Sequence, residues 1–280
     1  MIATRIFRHR TGSIPLDGRT RVMGIVNVTP DSFSDGGRNF ALEDALASAA
    51  QMTAQGADIL DIGGESTRPG HSKVPAEEEW NRLAPVFAAI SDALAPLPPI
   101  SVDTWKAEVA AQALAAGAAI VNDVWGFQRD PAMASVVAES GAGAILMHNR
   151  EAIDETIDIV EDIFAFLDRS LCLATKAGIA DDRIMLDPGI GFGKTFSQSY
   201  QAVAALPRMK TLGFPILLGL SRKGFIGPLT APPAPSSERL GGSIAGNVFG
   251  ALNGADVIRV HDVAPHVQAM RMLDAVRGAA

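Results

Sequence analysis

A closed (β/α)8 barrel, the TIM fold of the α/β class, is what this sequence predicts, and three observations predict it. Eight short apolar runs alternate with longer amphipathic stretches through the 280 residues. The runs are apolar almost throughout, as parallel strands are when helices cover one face and a packed interior lies on the other. The segments after the runs are long and rich in Gly, Ser, Asp and Arg, whereas those leading into the next run are mostly short. A barrel that gathers its chemistry at the C-terminal ends of its strands has this asymmetry. The alternative for the same alternation is an open, doubly wound sheet. Such barrels run to about 250 residues as one unit. No boundary interrupts the pattern, so 1–280 is expected to form a single domain, with 1–20 an N-terminal extension packing on the barrel.

The strands are expected at 22–28, 57–62, 100–103, 119–124, 142–147, 184–187, 215–220 and 256–260. Each is a short aliphatic run stopped by Gly, Pro or a polar residue. The helices are expected at 42–55, 77–94, 107–116, 131–139, 156–176, 198–212, 244–252 and 267–276. Glycine is the favoured residue just past a helix C-terminus. Gly56, Gly117, Gly141 and Gly254 stand there, each just before a strand. The Pro-rich stretch 231–237 has the composition of a linker, but strand and helix patterns continue after it.

Composition removes several function classes. A formal net charge of −7 argues against a general nucleic-acid or anionic-membrane surface. Cys172 is the single cysteine, so no disulfide within the chain and no cysteine zinc site can form, and a reducing cytoplasm fits. Cys172 itself lies in a helical pattern and reads as packing. The N-terminus lacks the apolar segment of a signal peptide. No run approaches the ~18 apolar residues of a membrane helix.

The chemistry centres on 183–195, RIMLDPGIGFGKT. A buried strand here ends in a carboxylate, Asp187. An ionised carboxylate cannot sit in a dry core without partners, so Asp187 should face a cleft. The glycines after it let the backbone approach what Asp187 holds. A phosphate-binding P-loop is excluded, because its first glycine would fall at Pro188. A dinucleotide fingerprint is excluded as well, because its third glycine would fall at Lys194.

Side chains alternate faces along a strand. Stepping back by two from each polar strand end groups Asn27 with Ile25, Asp103 with Ser101, Asn122 with Ile120, and Asp187 with Met185. The same step groups Lys223 with Ser221 and His261 with Arg259. If this face points inward, the mouth holds Asn27, Asp103, Asn122, Asp187, Lys223, Arg259 and His261. Val102, Val121, Leu186 and Val260 then face the helices. A lone Asp or Asn at a strand end is most simply a helix cap or loop anchor. Seven polar residues sharing one inward parity are not explained by caps. Asp103, Asn122 and Asp187 suit a flat heterocycle with several N–H donors, and Lys223 a ring carbonyl or nitrogen. Arg68, Arg259 and His261 suit a phosphate-type anion. There is no zinc-ligand spacing among His, Cys and carboxylates, His71, His148 and His266 being scattered, and no G-x-S-x-G elbow. A hard cation held by one or two oxygens plus substrate phosphate is compatible.

Read together, GIVNVTPDSFSDGG (24–37), DIGGESTRPG (61–70), SVDT, VNDV, LDPGIGFGK, SRKGFIG and IRVHDV resemble the ordered motifs of the dihydropteroate synthase family over 21–263. The resemblance implies a barrel enzyme, usually dimeric. It would join 4-aminobenzoate to 6-hydroxymethyl-7,8-dihydropterin diphosphate, with Mg2+, releasing diphosphate. It implies that Asp103, Asn122, Asp187 and Lys223 hold the pterin ring, with Met147 packed nearby and Arg259 stacked on it. Asp103, Asp187, Lys223 and Arg259 would carry catalysis. Asn27 would ligate Mg2+ and, with Arg68, Arg259 and His261, hold the diphosphate. Thr67, Pro69, Phe192 and Ser221 would frame the aminobenzoate, which sulfonamides mimic. The stretch 147–154, MHNREAID, departs from the family pattern after the fifth strand, although Met147 matches. The alternatives are a pterin-binding methyltransferase domain, which has no use for an anion clamp, and an inactive pterin-binding homologue.

Overall fold

The computed structural model describes residues 5–28, 37–65, 74–94 and 96–279, with the side chains of all of these except 37–41. The chain starts with a hairpin, β1 (Arg5–His9) paired antiparallel with β2 (Gly12–Leu16). Eight parallel strands follow: β3 (Arg21–Asn27), β4 (Ile59–Gly63), β5 (Ile100–Asp103), β6 (Ile120–Asp123), β7 (Gly143–Met147), β8 (Ile184–Asp187), β9 (Leu217–Leu218) and β10 (Val257–Val260). Their order is β8-β7-β6-β5-β4-β3-β10-β9, and a bridge between Leu186 and Ile216 joins the two ends. The sheet is therefore a closed barrel and not a doubly wound sheet.

Helices follow the strands. They are α1 (Gly37–Ala54), α2 (Ala76–Ala93), α3 (Ala107–Ala115), α4 (Met133–Ser140), α5 (Ile159–Lys176), α6 (Phe196–Ala204), α7 (Leu206–Met209), α8 (Leu240–Leu252) and α9 (Val263–Gly278). The four glycines expected to stop helices all take positive φ, and Gly141 is the left-handed C-cap of α4. Three expectations shift. The helix expected at 198–212 breaks into α6, α7 and a 3-10 turn, because Pro207 has no N–H to continue the ladder of α6. The helix expected from Thr156 begins at Ile159: the Asp158 carboxylate accepts from Val160 and Glu161, while Thr156 donates to Asp154. β9 is two residues long, against six expected from 215–220.

The hairpin was not legible as strands, and it does more than pack on the surface. Phe7, Ile14 and Leu16 are buried in one cluster with the inward residues at the strand starts, Met23, Ile59, Ile120, Ile145, Met185, Leu217 and Val257. The Arg10 amide donates to Ala119 O at 3.2 Å, tying the hairpin to the start of β6. Gly143, the first residue of β7, makes room for the plug, since a Cβ there would lie 2.7 Å from Phe7 Cζ.

Candidate active site

The face assignment made from alternation holds on the strands themselves. Ile120 and Met185 lie in the inner cluster, while Val102, Val121, Leu186 and Val260 lie in the outer core beneath the helices. Two residues further along the inner face, the apolar interior gives way to Asp61, Asp103, Asn122, Asp187 and Arg259. The first four are buried. Met147 is buried at the end of β7, in register with Asp187. Asn27 is half-buried at the end of β3, beside Gly63, which in turn pairs with Asp103.

Arg259 ties this group together. Its Nε donates to Asp61 Oδ2 at 2.6 Å and its Nη2 to Asp103 Oδ2 at 2.6 Å. Asn122 Nδ2 donates to the same Asp61 oxygen at 3.1 Å. Asp187 Oδ1 accepts from the Gly189 amide at 2.7 Å. After these bonds, Asp61 Oδ1, Asp103 Oδ1 and Asn122 Oδ1 are buried without a partner in the protein. Buried acceptors left unpaired cost of the order of 1–3 kcal/mol each, so three at one mouth mark a place for N–H donors from outside the chain. Asp61 was not singled out from the sequence. β4 ends in glycine, so a search of polar strand ends passed over a carboxylate two residues back; the signal was a charged residue inside an apolar run.

Lys223 and His261 correct the parity argument. β9 stops at Leu218, so Ser221 and Lys223 are on a turn and not on a strand, and His261 lies just past β10. The turn is nonetheless fixed. Arg222 has φ +57, its Nε donates to Asp262 Oδ2 at 2.9 Å, and its backbone amide donates to Ser243 Oγ at 2.9 Å. Lys223 Nζ donates to Ile190 O and lies 4.7 Å from the Phe192 ring centroid. Ser221 Oγ accepts from the His261 amide at 3.3 Å and lies 3.2 Å from its Nδ1. Ser221, Lys223, Phe192 and His261 are thus brought together. Thr67, Arg68 and Pro69 lie outside the described residues.

Burial sets the charges. It raises Asp187 above the usual carboxylate range, against the pull of Lys223, the Gly189 amide and Arg259. It pushes Asp103 up to about 7, with Arg259 opposing and Asp61 reinforcing. Burial lowers Lys223 to about 8, with Asp187 holding it up. Burial also disfavours the Arg259 cation, but Asp61 and Asp103 outweigh it and the guanidinium stays charged. The mouth is therefore a set of carboxylates and cations whose protons are poised to respond to a bound ring.

Among the described residues no group of three His, Cys, Asp or Glu could hold a metal ion. Asn27, a neutral amide half-buried at the end of β3, is the donor type that a hard cation keeping most of its waters and taking substrate phosphate as a ligand would use.

The family model described as pterin binding enzyme matches residues 23–261. The dihydropteroate synthase of Clostridium beijerinckii is 47% identical over 259 residues, covering 92% of this chain and 94% of that protein. That of Bacillus subtilis is 44% identical over 274 residues, covering 98% and 94%. Among solved structures, Xanthomonas albilineans dihydropteroate synthase with 4-aminobenzoic acid superposes with TM-score 0.92 at 44% identity, covering 98% of this chain and 99% of that one. The structure of that enzyme in complex with 7,8-dihydropteroate superposes at 0.85 with 43% identity, covering 95% and 96%.

Proposed function

We infer that this chain, which belongs to the pterin-binding enzyme family, is a dihydropteroate synthase, a transferase that condenses 6-hydroxymethyl-7,8-dihydropterin diphosphate with 4-aminobenzoate. The observation in the molecule that carries this reading is the set of unpaired buried oxygens on Asp61, Asp103 and Asn122, with Asp187 and Lys223 beside them. A pterin edge presents the N–H donors that such acceptors lack, and its ring carbonyl suits Lys223.

Asp103, Asn122, Asp187 and Lys223 hold the ring in this reading, with Met147 and Arg259 against it. Asp61 fixes the Arg259 side chain and the Asn122 amide. Arg68, Arg259 and His261 hold the diphosphate with Asn27. Asn27 would also hold Mg2+, which when bound neutralises charge on the departing diphosphate. The bond from the exocyclic carbon to the diphosphate oxygen breaks, and its electron pair leaves with the diphosphate. The aniline nitrogen of 4-aminobenzoate then attacks that carbon and loses a proton. Asp187 stabilises positive charge on the ring between these events. Thr67, Pro69, Phe192 and Ser221 frame the aminobenzoate, so sulfonamides should compete with it.

The chain is also proposed to be a cytoplasmic homodimer. No helix among the described residues is long and apolar enough to cross a membrane. Phe249 and Leu252 on α8 and Met272 and Val276 on α9 are exposed, an apolar surface that a second copy would cover; sedimentation as a monomer would reject the dimer. The reaction is tested by mixing the two substrates with Mg2+. Diphosphate and dihydropteroate should form in equal amounts and only when both substrates are present. Failure to form dihydropteroate, with pterin still bound, would instead support the inactive homologue, and methyl transfer from a methylated pterin the methyltransferase.

A further inference from the structure

Lys194 lies at the end of the turn that follows Asp187 and is almost completely buried. Its Nζ donates to Gly189 O at 2.7 Å and Phe192 O at 3.2 Å, and lies 2.6 Å from His148 Nδ1. His148 is fully buried, and its Nε2 lies 3.0 Å from Asp162 Oδ2 on α5. Arg150 Nη1 donates to the same Asp162 oxygen at 2.7 Å. His148 and Arg150 belong to the segment after β7 that departs from the family pattern. The turn presses directly on that segment. A Cβ on Gly189 would fall 1.8 Å from His148 O, and one on Gly193 would fall 2.5 Å from Arg150 Cβ. The same turn carries Ile190, whose carbonyl receives Lys223, and Phe192, whose ring lies beside the Lys223 ammonium.

We propose that buried Lys194 and His148, with the half-exposed Asp162, form a positioning relay that locks the 188–194 turn in the shape presenting Phe192 and the Ile190 carbonyl to Lys223, and so sets the aminobenzoate subsite. This rests on the synthase reading above. The hydrogen count supports it. Asp162, held well ionised by Arg150 and His148 against the cost of burial, accepts from Nε2–H and fixes the histidine tautomer. Burial, and then Lys194, hold His148 down to about 3, so it is neutral and offers the Nδ1 lone pair. Lys194 then meets three acceptors, and an ammonium has three N–H donors to give them. A neutral amine has two, so deprotonation breaks one contact of the turn. Facing Lys194 besides His148 are Asp187 and Asp162, which favour its charge, and Lys223 and Arg150, which oppose it; with burial the leading cause, it is lowered to about 7.

The sign separates positioning from mere packing. Between about pH 7 and 10.5 the unfolded chain keeps a lysine proton that the folded chain sheds, so this group's contribution to stability rises with pH across that window. Its positioning effect falls as the pH rises through about 7, because the ammonium is lost there. Steady-state kinetics, melting curves and pterin diphosphate calorimetry on wild type, Lys194→Met, Lys194→Arg and Asp162→Asn test this. In wild type the KM for aminobenzoate should rise as the pH passes upward through about 7, while the melting temperature does not fall. Lys194→Met should raise that KM about tenfold or more at pH 7, the loss of a charge-assisted contact, with pterin diphosphate affinity within about threefold. Lys194→Arg, which stays charged, should flatten the pH dependence whatever its absolute KM. If Lys194→Met does not fold, Asp162→Asn should show the same KM-selective effect at about threefold. An aminobenzoate KM within twofold of wild type in a folded Lys194→Met, or in Asp162→Asn where the former is unfolded, overturns the relay. Failure of the wild type to form dihydropteroate would instead sink the reading on which it rests.

Discussion

The two ends of the barrel are built from the same strands, two residues apart. At the N-terminal end, Ile59, Ile120, Met185 and Val257 close on Phe7 of the hairpin in one apolar cluster. One inward step along the same strands brings Asp61, Asn122, Asp187 and Arg259; Asp61 Oδ1 and Asn122 Oδ1, with Asp103 Oδ1 on β5, have no partner. One end is organised to satisfy itself, the other to be completed by a ligand. Conserving volume should matter at the first and chemistry at the second, which is the division a barrel of this kind allows.

The largest expected effect breaks the closed end. Phe7→Ala removes a fully buried ring from the centre of the plug. Truncations of this kind cost about 3–5 kcal/mol. Denaturant unfolding should show a loss of that size, while turnover per folded molecule stays near wild type. A Phe7→Ala protein that melts normally but has lost activity would mean that the hairpin serves the site and not the core.

Asp187→Asn is the matching change at the open end. It keeps shape and removes a charge that burial already penalises. Stability should therefore hold or improve, while pterin binding and turnover fall about tenfold or more, the worth of roughly 1.5–3 kcal/mol for a hydrogen bond to a charged group. Calorimetry with the pterin diphosphate measures it, and unchanged affinity would remove Asp187 from the ring site.

The same contrast explains what could be read from the sequence. Period-two alternation identified Asp103, Asn122 and Asp187, because each lies at or next to the end of its strand on the inward face, two residues past Ser101, Ile120 and Met185. It reached Lys223 and His261 for an inexact reason, since a turn pinned by Arg222 and Asp262 delivers Lys223 and not a strand. Asp61 was hidden by a strand that ends in glycine. The hairpin was hidden because its two strands bury only alternate residues, so their composition is that of an exposed extension. Lys194 and Thr195 look like phosphate ligands in the string GKT. In the fold Lys194 satisfies the carbonyls of its own turn, and Thr195 caps α6 with Gln198 in a capping box. What three-dimensional proximity creates, and local pattern does not encode, is the partner of each polar group.

The smallest expected effect sharpens the comparison, because it makes one substitution at both ends. Gly143 and Gly219 both sit in or just after barrel strands, and neither has positive φ, so alanine suits both backbones. They differ in what a methyl group meets. At Gly143 it would lie 2.7 Å from Phe7 Cζ and 3.0 Å from Arg8 O, and the backbone atom cannot swing away. Overpacking of this kind costs about 1–3 kcal/mol. At Gly219 the nearest atoms are Arg259 Cβ and Asp187 Oδ2, both at 3.8 Å, an ordinary contact. There the reduced freedom of the unfolded chain should leave stability unchanged or raised by about 0.4–1 kcal/mol. The methyl also stands beside the two side chains proposed to hold the pterin, so it should weaken ring binding modestly, by about 0.5–1 kcal/mol if the pocket gives way by a few tenths of an ångström. Gly143→Ala should then lower the melting temperature with normal ligand affinity, and Gly219→Ala should lower affinity with a normal or higher melting temperature. If both variants lost only stability, the open end would be packed like the closed one, and the division between them would be wrong.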